Sequence, residues 1–312
     1  MSRALRIAWF GDGPWAAEAL RRVHRAGHEV VSVYARRMPS DSSLEAAAQA
    51  LGLPVCRPAR ANDEGTITRL RGLSPDLGIS VSYDQILRRS MLEIPPLGIL
   101  NFHAGKLPLY RGRNVINWAL INGEHEIGLT AHYMDEGIDT GDIVLQRTLP
   151  VAWTDAYDVV LRRVVEQLPA LVDEAVDLVA TGRATRTPQS GWGTYFAARR
   201  PGDEWLAWSD TSVNLHNKIR AISRPAPGAR TMLECEELVV WSAYCDPAWP
   251  RYLATPGEVV GRLPDAGVLV KTGDSVLLLK EVQGQDGQCA VPTWPIGTRL
   301  HSPAQARARQ EA

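Results

Sequence analysis

The sequence predicts an α/β protein with a Rossmann-like, mostly parallel N-terminal sheet and a smaller C-terminal β-barrel or sandwich. Short apolar runs alternate with helical stretches over roughly the first 180 residues, which is typical of right-handed βαβ units. Beyond a segment rich in Gly and Pro, short β-type runs follow one another at even spacing, separated by turn residues. The chain has 312 residues, enough for two domains of ordinary size.

The N-terminal part begins with a strand at residues 5–10 that ends in a Gly-Asp-Gly-Pro turn, and Pro14 suits the first turn of a helix. We expect strands at 29–34, 77–82 and 97–102 and helices at 15–25, 43–51, 63–73 and 114–121. The runs at 129–134 and 143–151 are close in sequence, so we expect them to pair antiparallel. A long helix at 154–181 completes this part, and Gly182 lies where a C-terminal glycine would.

The C-terminal part begins after an expected linker at residues 183–202, so we expect domains at 1–190 and 203–303. A helix at 212–223 comes first. Short strands are expected at 230–233, 238–243, 257–262, 267–271 and 275–282.

Composition and charge exclude several classes of protein. Hydrophobic residues make up 45% and charged residues 22%, which does not fit a disordered chain. The net charge of −1 argues against a nucleic-acid partner, and no apolar run approaches the ~18 residues of a membrane span. Four cysteines without a CxxC pair predict free thiols in a cytoplasmic protein and no metal site.

The turn GDGPWA at residues 11–16 resembles the dinucleotide-binding turn of nicotinamide enzymes. Arg36 and Arg37, after the second strand, could contact a 2′-phosphate. Pro14, however, has no N–H to offer a phosphate, so a nicotinamide oxidoreductase is a weak alternative.

The segment at 98–142 carries the residues best suited to catalysis. Asn101 and His103 alternate at the end of a strand, so both side chains face the same side, at the edge where α/β proteins place their sites. An amide and an imidazole can both donate hydrogen bonds to an oxyanion. A carboxylate from Asp135, Asp139 or Asp142 would orient the imidazole. By contrast, we expect His132 to be structural and His125 to lie in a surface turn.

Three linked motifs then become recognisable: Asn-Phe-His at 101–103, LPLYRG at 107–112 and IDTGD at 138–142. Together they resemble the 10-formyltetrahydrofolate-dependent formyltransferase family, over about residues 3–300. WLAW at 205–208 and LHNKIRA at 215–221 are similar to the barrel domain of methionyl-tRNA formyltransferases. They look closer still to sugar N-formyltransferases, such as the formyltransferase portion of the bifunctional polymyxin-resistance enzyme that formylates UDP-4-amino-4-deoxy-L-arabinose.

The resemblance implies an OB-like C-terminal barrel and formyl transfer from N10-formyltetrahydrofolate to a primary amine, without a metal. It implies that Asn101 and a charged His103 imidazolium stabilise the oxyanion. Asp139 would keep His103 charged and accept the amine proton. The resemblance further implies folate-binding residues at Tyr83, Gln85, Ile86, Leu87, Asp135 and Ile138, and substrate-binding residues at Lys106, Tyr110 and Arg111. One departure is Gly105-Lys106, where the family often has Ser-Leu; Lys106 could face an anionic substrate or only solvent.

The amine acceptor is expected to be small, and a nucleotide-linked amino sugar is the preferred hypothesis. Residues 34–54 contain two Arg against one Asp and one Glu, and residues 201–312 contain 11 Lys+Arg against 13 Asp+Glu. Neither region has the basic excess that phosphate neutralisation requires. Methionyl-tRNA and another amine such as hydroxyornithine stay as alternatives, and the sequence leaves a homodimer open.

Overall fold

A computed structural model describes residues 3–303, which form two compact units that alternate along the chain. The first unit contains the residues up to 115, 126–150 and 162–196. The second contains 116–125, 151–161 and the described residues from 197 onward. These units are defined by contacts in the folded chain, and the domain boundaries at 190 and 203 stay a prediction.

The first unit contains a seven-stranded sheet. Its strands and a short additional strand, β6, are β1 (Arg6–Gly11), β2 (Glu29–Ala35), β3 (Val55–Cys56), β4 (Leu77–Val81), β5 (Ile99–His103), β6 (Arg111–Gly112), β7 (Glu126–Tyr133) and β8 (Ile143–Pro150). The order is β3-β2-β1-β4-β5-β7-β8, and the first five strands in this order are parallel. β7 runs antiparallel to β5, and β8 antiparallel to β7. The predicted α/β class is confirmed.

Seven helices lie in the described part of the chain: α1 (Gly13–Arg25), α2 (Ser43–Ala50), α3 (Glu64–Gly72), α4 (Arg89–Leu92), α5 (Val115–Ile121), α6 (Tyr157–Ala180) and α7 (Ser212–Ala221). Side-chain caps begin α3 and α7. Asp63 accepts a hydrogen bond from the Thr66 N–H at 2.7 Å, and Thr211 accepts one from the Asn214 N–H at 3.2 Å. These caps satisfy N–H groups that a helix leaves unpaired at its start.

The second unit contains an antiparallel sheet that closes on itself. Its strands, and the two-residue strand β9 that precedes them in the first unit, are β9 (Tyr195–Phe196), β10 (Ala229–Leu233), β11 (Glu236–Tyr244), β12 (Val259–Leu263), β13 (Gly267–Lys271), β14 (Val276–Gln283), β15 (Cys289–Ala290) and β16 (Leu300–His301). The order is β12-β13-β14-β11-β10-β16. The Leu300 N–H also donates to the Gly257 carbonyl at 2.8 Å, just before β12. β16 therefore connects β10, at one edge of the sheet, with the segment just before β12, at the other edge, as in a barrel.

The turn after β1 has an acidic side chain where a pyrophosphate would lie. The buried Asp12 carboxylate accepts the Ser40 N–H at 3.0 and 3.1 Å and pairs with Arg36 at 3.3 Å. Arg36 is thus already engaged, and the carboxylate would repel a phosphate. This geometry does not favour the nicotinamide alternative.

No helix among residues 3–303 has both the length and the apolar character needed to cross a membrane.

Candidate active site

The site is built on the antiparallel pair β5 and β7. Asn101 and His103 alternate along β5, so they share one face of the sheet. The register places Asn101 opposite His132 and His103 opposite Thr130. The predicted juxtaposition of Asn101 and His103 is present, and β7 adds a second histidine to it.

The Asn101 carboxamide lies at the centre of the cluster. Its Nδ2 is 3.1 Å from His132 Nε2 and donates to Asp139 Oδ1 at 3.3 Å. His132 Nδ1 is 2.8 Å from the Tyr133 carbonyl oxygen, which can only accept. The proton of His132 therefore belongs on Nδ1, and Nε2 accepts from Asn101. Both amide hydrogens of Asn101 are used, which holds the carboxamide in one orientation.

Asp139 lies in the loop between β7 and β8, with a positive φ of 53°. Its Oδ2 accepts the Gly112 N–H at 2.8 Å. Burial opposes ionisation, but the hydrogen bond and charge that the His132 ring offers when protonated, the charge of the His103 ring when protonated and the Gly112 N–H outweigh it and lower the pKa of Asp139 to about 2. The carboxylate is therefore ionised at neutral pH.

His103 is buried between Asp139 and the Tyr110 carbonyl. Its Nε2 donates to Tyr110 O at 2.6 Å, and its Nδ1 is 3.7 Å from Asp139 Oδ2. Burial lowers the pKa of His103, although Asp139 and the Tyr110 carbonyl both oppose this. Desolvation thus opposes the charged imidazolium that the resemblance implies, whereas the Asp139 carboxylate favours it, and the role of His103 stays a prediction.

Gly105 is required for this position of His103. A Cβ at residue 105 would collide with the His103 ring and with the Tyr110 carbonyl oxygen. The hydrogen bond from His103 Nε2 to the Tyr110 carbonyl is thus compatible with glycine at position 105, where the family often has serine. The departure in the motif has a direct structural consequence for the imidazole.

His132, which we expect from the sequence to be structural, contacts the cluster directly. Besides Asn101, its Nε2 lies 3.5 Å from Asp139 Oδ1, and its side chain is 2% exposed. Only the β5–β7 register places residue 132 opposite residue 101. That register is the signal that could have identified it.

The residues expected to bind folate lie on two loops of the first unit. Gln85 is held by the segment at 58–61: its side chain accepts the Ala61 N–H at 2.7 Å and donates to Pro58 O at 3.0 Å. Leu87 is buried in a hydrophobic cluster. Ile86 is exposed and Tyr83 packs edge-on against Phe10 at 5.5 Å. In the described part of the chain, the buried Tyr83 hydroxyl has no hydrogen-bond partner, and burial raises its pKa.

The second loop contains Asp135 and Ile138. Asp135 accepts the Gly137 N–H at 3.0 Å and the Thr140 hydroxyl at 2.6 Å, so it shapes the loop. Ile138 is exposed. Of the six expected folate residues, Ile86 and Ile138 therefore have exposed side chains, whereas the Tyr83 hydroxyl is buried.

The three residues expected to bind substrate differ in their surroundings. Lys106 forms an ion pair with Glu126, and both side chains are exposed. The Tyr110 ring stacks on Phe196 with centroids 5.0 Å apart. Arg111 donates to Gln189 Oε1 at 3.1 Å from Nε and at 2.6 Å from Nη2, and to the Tyr195 hydroxyl at 3.1 Å.

Comparison with known proteins identifies the same family that the three sequence motifs resemble. Residues 5–176 match the family described as formyl transferase, and residues 199–292 match the formyl transferase C-terminal domain. Methionyl-tRNA formyltransferase of Symbiobacterium thermophilum is 36% identical, over 99% of this chain and 98% of its own. That of Pelotomaculum thermopropionicum is 33% identical, over 90% and 91%.

Solved structures share the fold at lower identity. WlaRD, a sugar 3N-formyl transferase determined in the presence of dTDP and 5-N-formyl-THF, has a TM-score of 0.70 at 16% identity, over 92% of this chain and 100% of its own. The N-formyltransferase of Helicobacter canadensis, in complex with folinic acid and dTDP-3-aminofucose, has a TM-score of 0.67 at 17% identity, over 88% and 99%. The chain belongs to the formyltransferase family, whose members are folate-dependent N-formyltransferases.

Proposed function

We propose that the enzyme transfers the formyl group of N10-formyltetrahydrofolate to a primary amine, with Asn101, His103 and Asp139 as its catalytic residues. One observation carries this proposal. The Asp139 carboxylate lies 3.3 Å from the Asn101 amide nitrogen and 3.7 Å from His103 Nδ1. An amide donor, a titratable ring and an ionised acid are thus in mutual reach, as acyl transfer requires.

The His103–Asp139 pair is arranged to take up a proton. Because Nε2 donates to Tyr110, Nδ1 is the ring atom that gains the second proton. The resulting imidazolium would be stabilised by Asp139 on one side and the Tyr110 carbonyl on the other. Burial lowers the pKa of His103, which favours the neutral ring that a general base towards the attacking amine requires.

Asn101 is arranged to stabilise negative charge on the formyl oxygen. Its amide hydrogens are directed at His132 and Asp139, and the bond to Asp139 is the longer of the two. Donation to an oxyanion would redirect this longer bond from the Asp139 carboxylate to the formyl oxygen. One such donor typically contributes ~3 kcal/mol to transition-state stability.

The two folate loops offer groups that suit a pterin, which is flat with polar edges. Ile86 and Ile138 present exposed apolar side chains, and the buried Tyr83 hydroxyl lacks a partner in the described part of the chain. When bound, the folate supplies the activated one-carbon unit. Gln85 and Asp135 hold the backbone of these loops in place.

The acceptor is a nucleotide-linked amino sugar in this proposal. The support is electrostatic: Arg36 is paired with the buried Asp12, so the segment at 34–54, already of zero net charge, presents little basic surface. The second-domain motifs at 205–208 and 215–221 also resemble those of a sugar N-formyltransferase. A small acceptor does not need a basic surface that spans many phosphates.

Methionyl-tRNA is the second candidate acceptor. The observation that favours it is the 36% identity to a methionyl-tRNA formyltransferase along nearly the whole of both chains. The two candidates differ in salt dependence, since binding of tRNA weakens steeply as salt rises.

The test is a panel of acceptors incubated with N10-formyltetrahydrofolate, with products identified by mass spectrometry. The panel contains UDP- and dTDP-linked amino sugars, their hydroxyl analogues as controls, and methionyl-tRNA. Formylation of an amino sugar, abolished in His103→Ala but kept in the surface variant His125→Gln, is expected. Formylated methionyl-tRNA without any formylated sugar would overturn the sugar proposal, and no transfer to any amine would overturn formyl transfer itself.

A further inference from the structure

The segment at 187–196, expected to be part of a linker, is packed against the catalytic loops within the first unit. Thr187 and Ile143 exchange two backbone hydrogen bonds, at 2.8 and 3.0 Å. The Thr194 carbonyl accepts the Arg111 N–H at 2.9 Å, and β9 pairs in parallel with β6. A Cβ on Gly193 would collide with the Arg111 guanidinium, so the approach is close.

Gln189 is the residue of this segment that reaches the acid loop. Its Nε2 donates to the Asp139 carbonyl at 2.9 Å and to the Gly141 carbonyl at 2.8 Å. Its Oε1 accepts both hydrogen bonds from Arg111, at 2.6 and 3.1 Å. Every hydrogen-bonding group of the carboxamide is therefore engaged, and it joins the loop of Asp139 to the loop of Arg111.

We infer that Gln189 is a positioning residue for the formyl-transfer reaction: its carboxamide holds the Asp139 loop so that the carboxylate stays on Gly112 and within reach of His103. This inference rests on the proposed function, because its kinetic test measures formyl transfer. Gln189 touches neither of the reacting groups and acts through Asp139.

The backbone of Asp139 gives the physical reason. Asp139 has a φ of +53°, a conformation that a non-glycine residue adopts at a cost and keeps only when its surroundings hold it. The two hydrogen bonds from Gln189 Nε2 fix the carbonyls on either side of Thr140. Gly112, which donates to the Asp139 carboxylate, directly follows Arg111, so one carboxamide constrains both partners of that bond.

Two variants separate the contacts of Gln189. Gln189→Met keeps the length and volume of the side chain but removes every hydrogen bond. Gln189→Glu keeps an acceptor for Arg111 but places a negatively charged oxygen against the two loop carbonyls, so it removes both donated hydrogen bonds and adds a charge. Gln283→Ala is the matched control, since Gln283 also accepts from a side chain (Trp241, 2.7 Å) and donates to a loop carbonyl (Gly287, 2.8 Å), but lies in the barrel sheet.

The measurements are kcat and KM for formyl transfer and hydrogen exchange of residues 135–142. We expect kcat to fall on the order of 10- to 100-fold in both Gln189 variants, with KM for N10-formyltetrahydrofolate changed less than about threefold, because a displacement of about 1 Å has effects of this size. Amide exchange in 135–142 is expected to accelerate in both variants and to stay unchanged in Gln283→Ala.

The outcomes distinguish the inference from the proposed function. A wild-type enzyme without transferase activity would overturn the proposed function, while the exchange data would still test whether Gln189 holds the loop. A kcat within about twofold of wild type in Gln189→Met would overturn the positioning role. Wild-type kcat in Gln189→Glu alone would show that Arg111, not the Asp139 loop, is what Gln189 orients, and would equally overturn it.

Discussion

Replacement of Asp139 by asparagine tests the electrostatics of the site most directly. The carboxylate accepts from Asn101 Nδ2 at 3.3 Å through Oδ1 and from the Gly112 N–H at 2.8 Å through Oδ2. An asparagine has one oxygen and one NH2 group, so either orientation sets a donor against a donor. The variant therefore loses one hydrogen bond as well as the charge.

The size of the effect follows from the pKa of Asp139. It is lowered from 3.8 to about 2 in the folded protein, and each pKa unit corresponds to ~1.4 kcal/mol. The ionised carboxylate therefore contributes about 2 kcal/mol to the free energy of unfolding at neutral pH. Because the folded pKa is the lower one, this contribution is fully present above pH ~4 and is lost as the pH falls towards ~2.

Urea unfolding from pH 7 to pH 3 measures the effect. We expect Asp139→Asn to be less stable than wild type by about 2 kcal/mol at pH 7, with this difference falling by about half at pH 3. Glu136→Gln, which removes an exposed charge from the same loop, is the control and should stay close to wild type. A stability difference that does not change with pH would refute the argument that ionisation of Asp139 stabilises the fold.

Three further predictions concern other residues of the site. Asn101→Ala should lower kcat roughly 100-fold or more; steady-state assays check this, and a kcat near wild type would contradict the oxyanion role. Because burial lowers the pKa of His103, the free energy of unfolding of wild type should fall as the pH falls below about 6.5, and that of His103→Gln should fall less. Urea titrations of both proteins at pH ~7 and ~5.5 measure this, and an equal fall in both would contradict it. Gly112 has a positive φ of 98°, and a Cβ there would collide with the Phe196 carbonyl, whereas Gly27 has a φ of 90° and open space around it. Gly112→Ala should therefore lower the free energy of unfolding by more than the ~1 kcal/mol expected of Gly27→Ala. Equal unfolding midpoints of the two variants would contradict the collision.

The sequence alone predicted a mostly parallel first sheet with an antiparallel addition, and it singled out Asn101, His103 and Asp139 as candidate catalytic residues. The alternation of apolar runs and helices predicted parallel strands, because each helical crossover returns the chain to the same edge. Alternation along one strand was sufficient to place Asn101 and His103 on a common face. Asp139 was selected by its place in a motif and not by its neighbours.

Only the tertiary structure decided which residues from distant segments lie together, and how burial there shifts their pKa values. The register of β5 and β7 places His132 beside Asn101. The pairing of β6 with β9, in which Arg111 and Tyr195 are 84 residues apart, brings the segment of Gln189 to the same loops. The lowered pKa of His103 depends on burial, which a local pattern of residues does not encode. Periodicity reports which way a side chain faces along its own element, whereas desolvation and cross-strand contacts exist only once the elements have packed together.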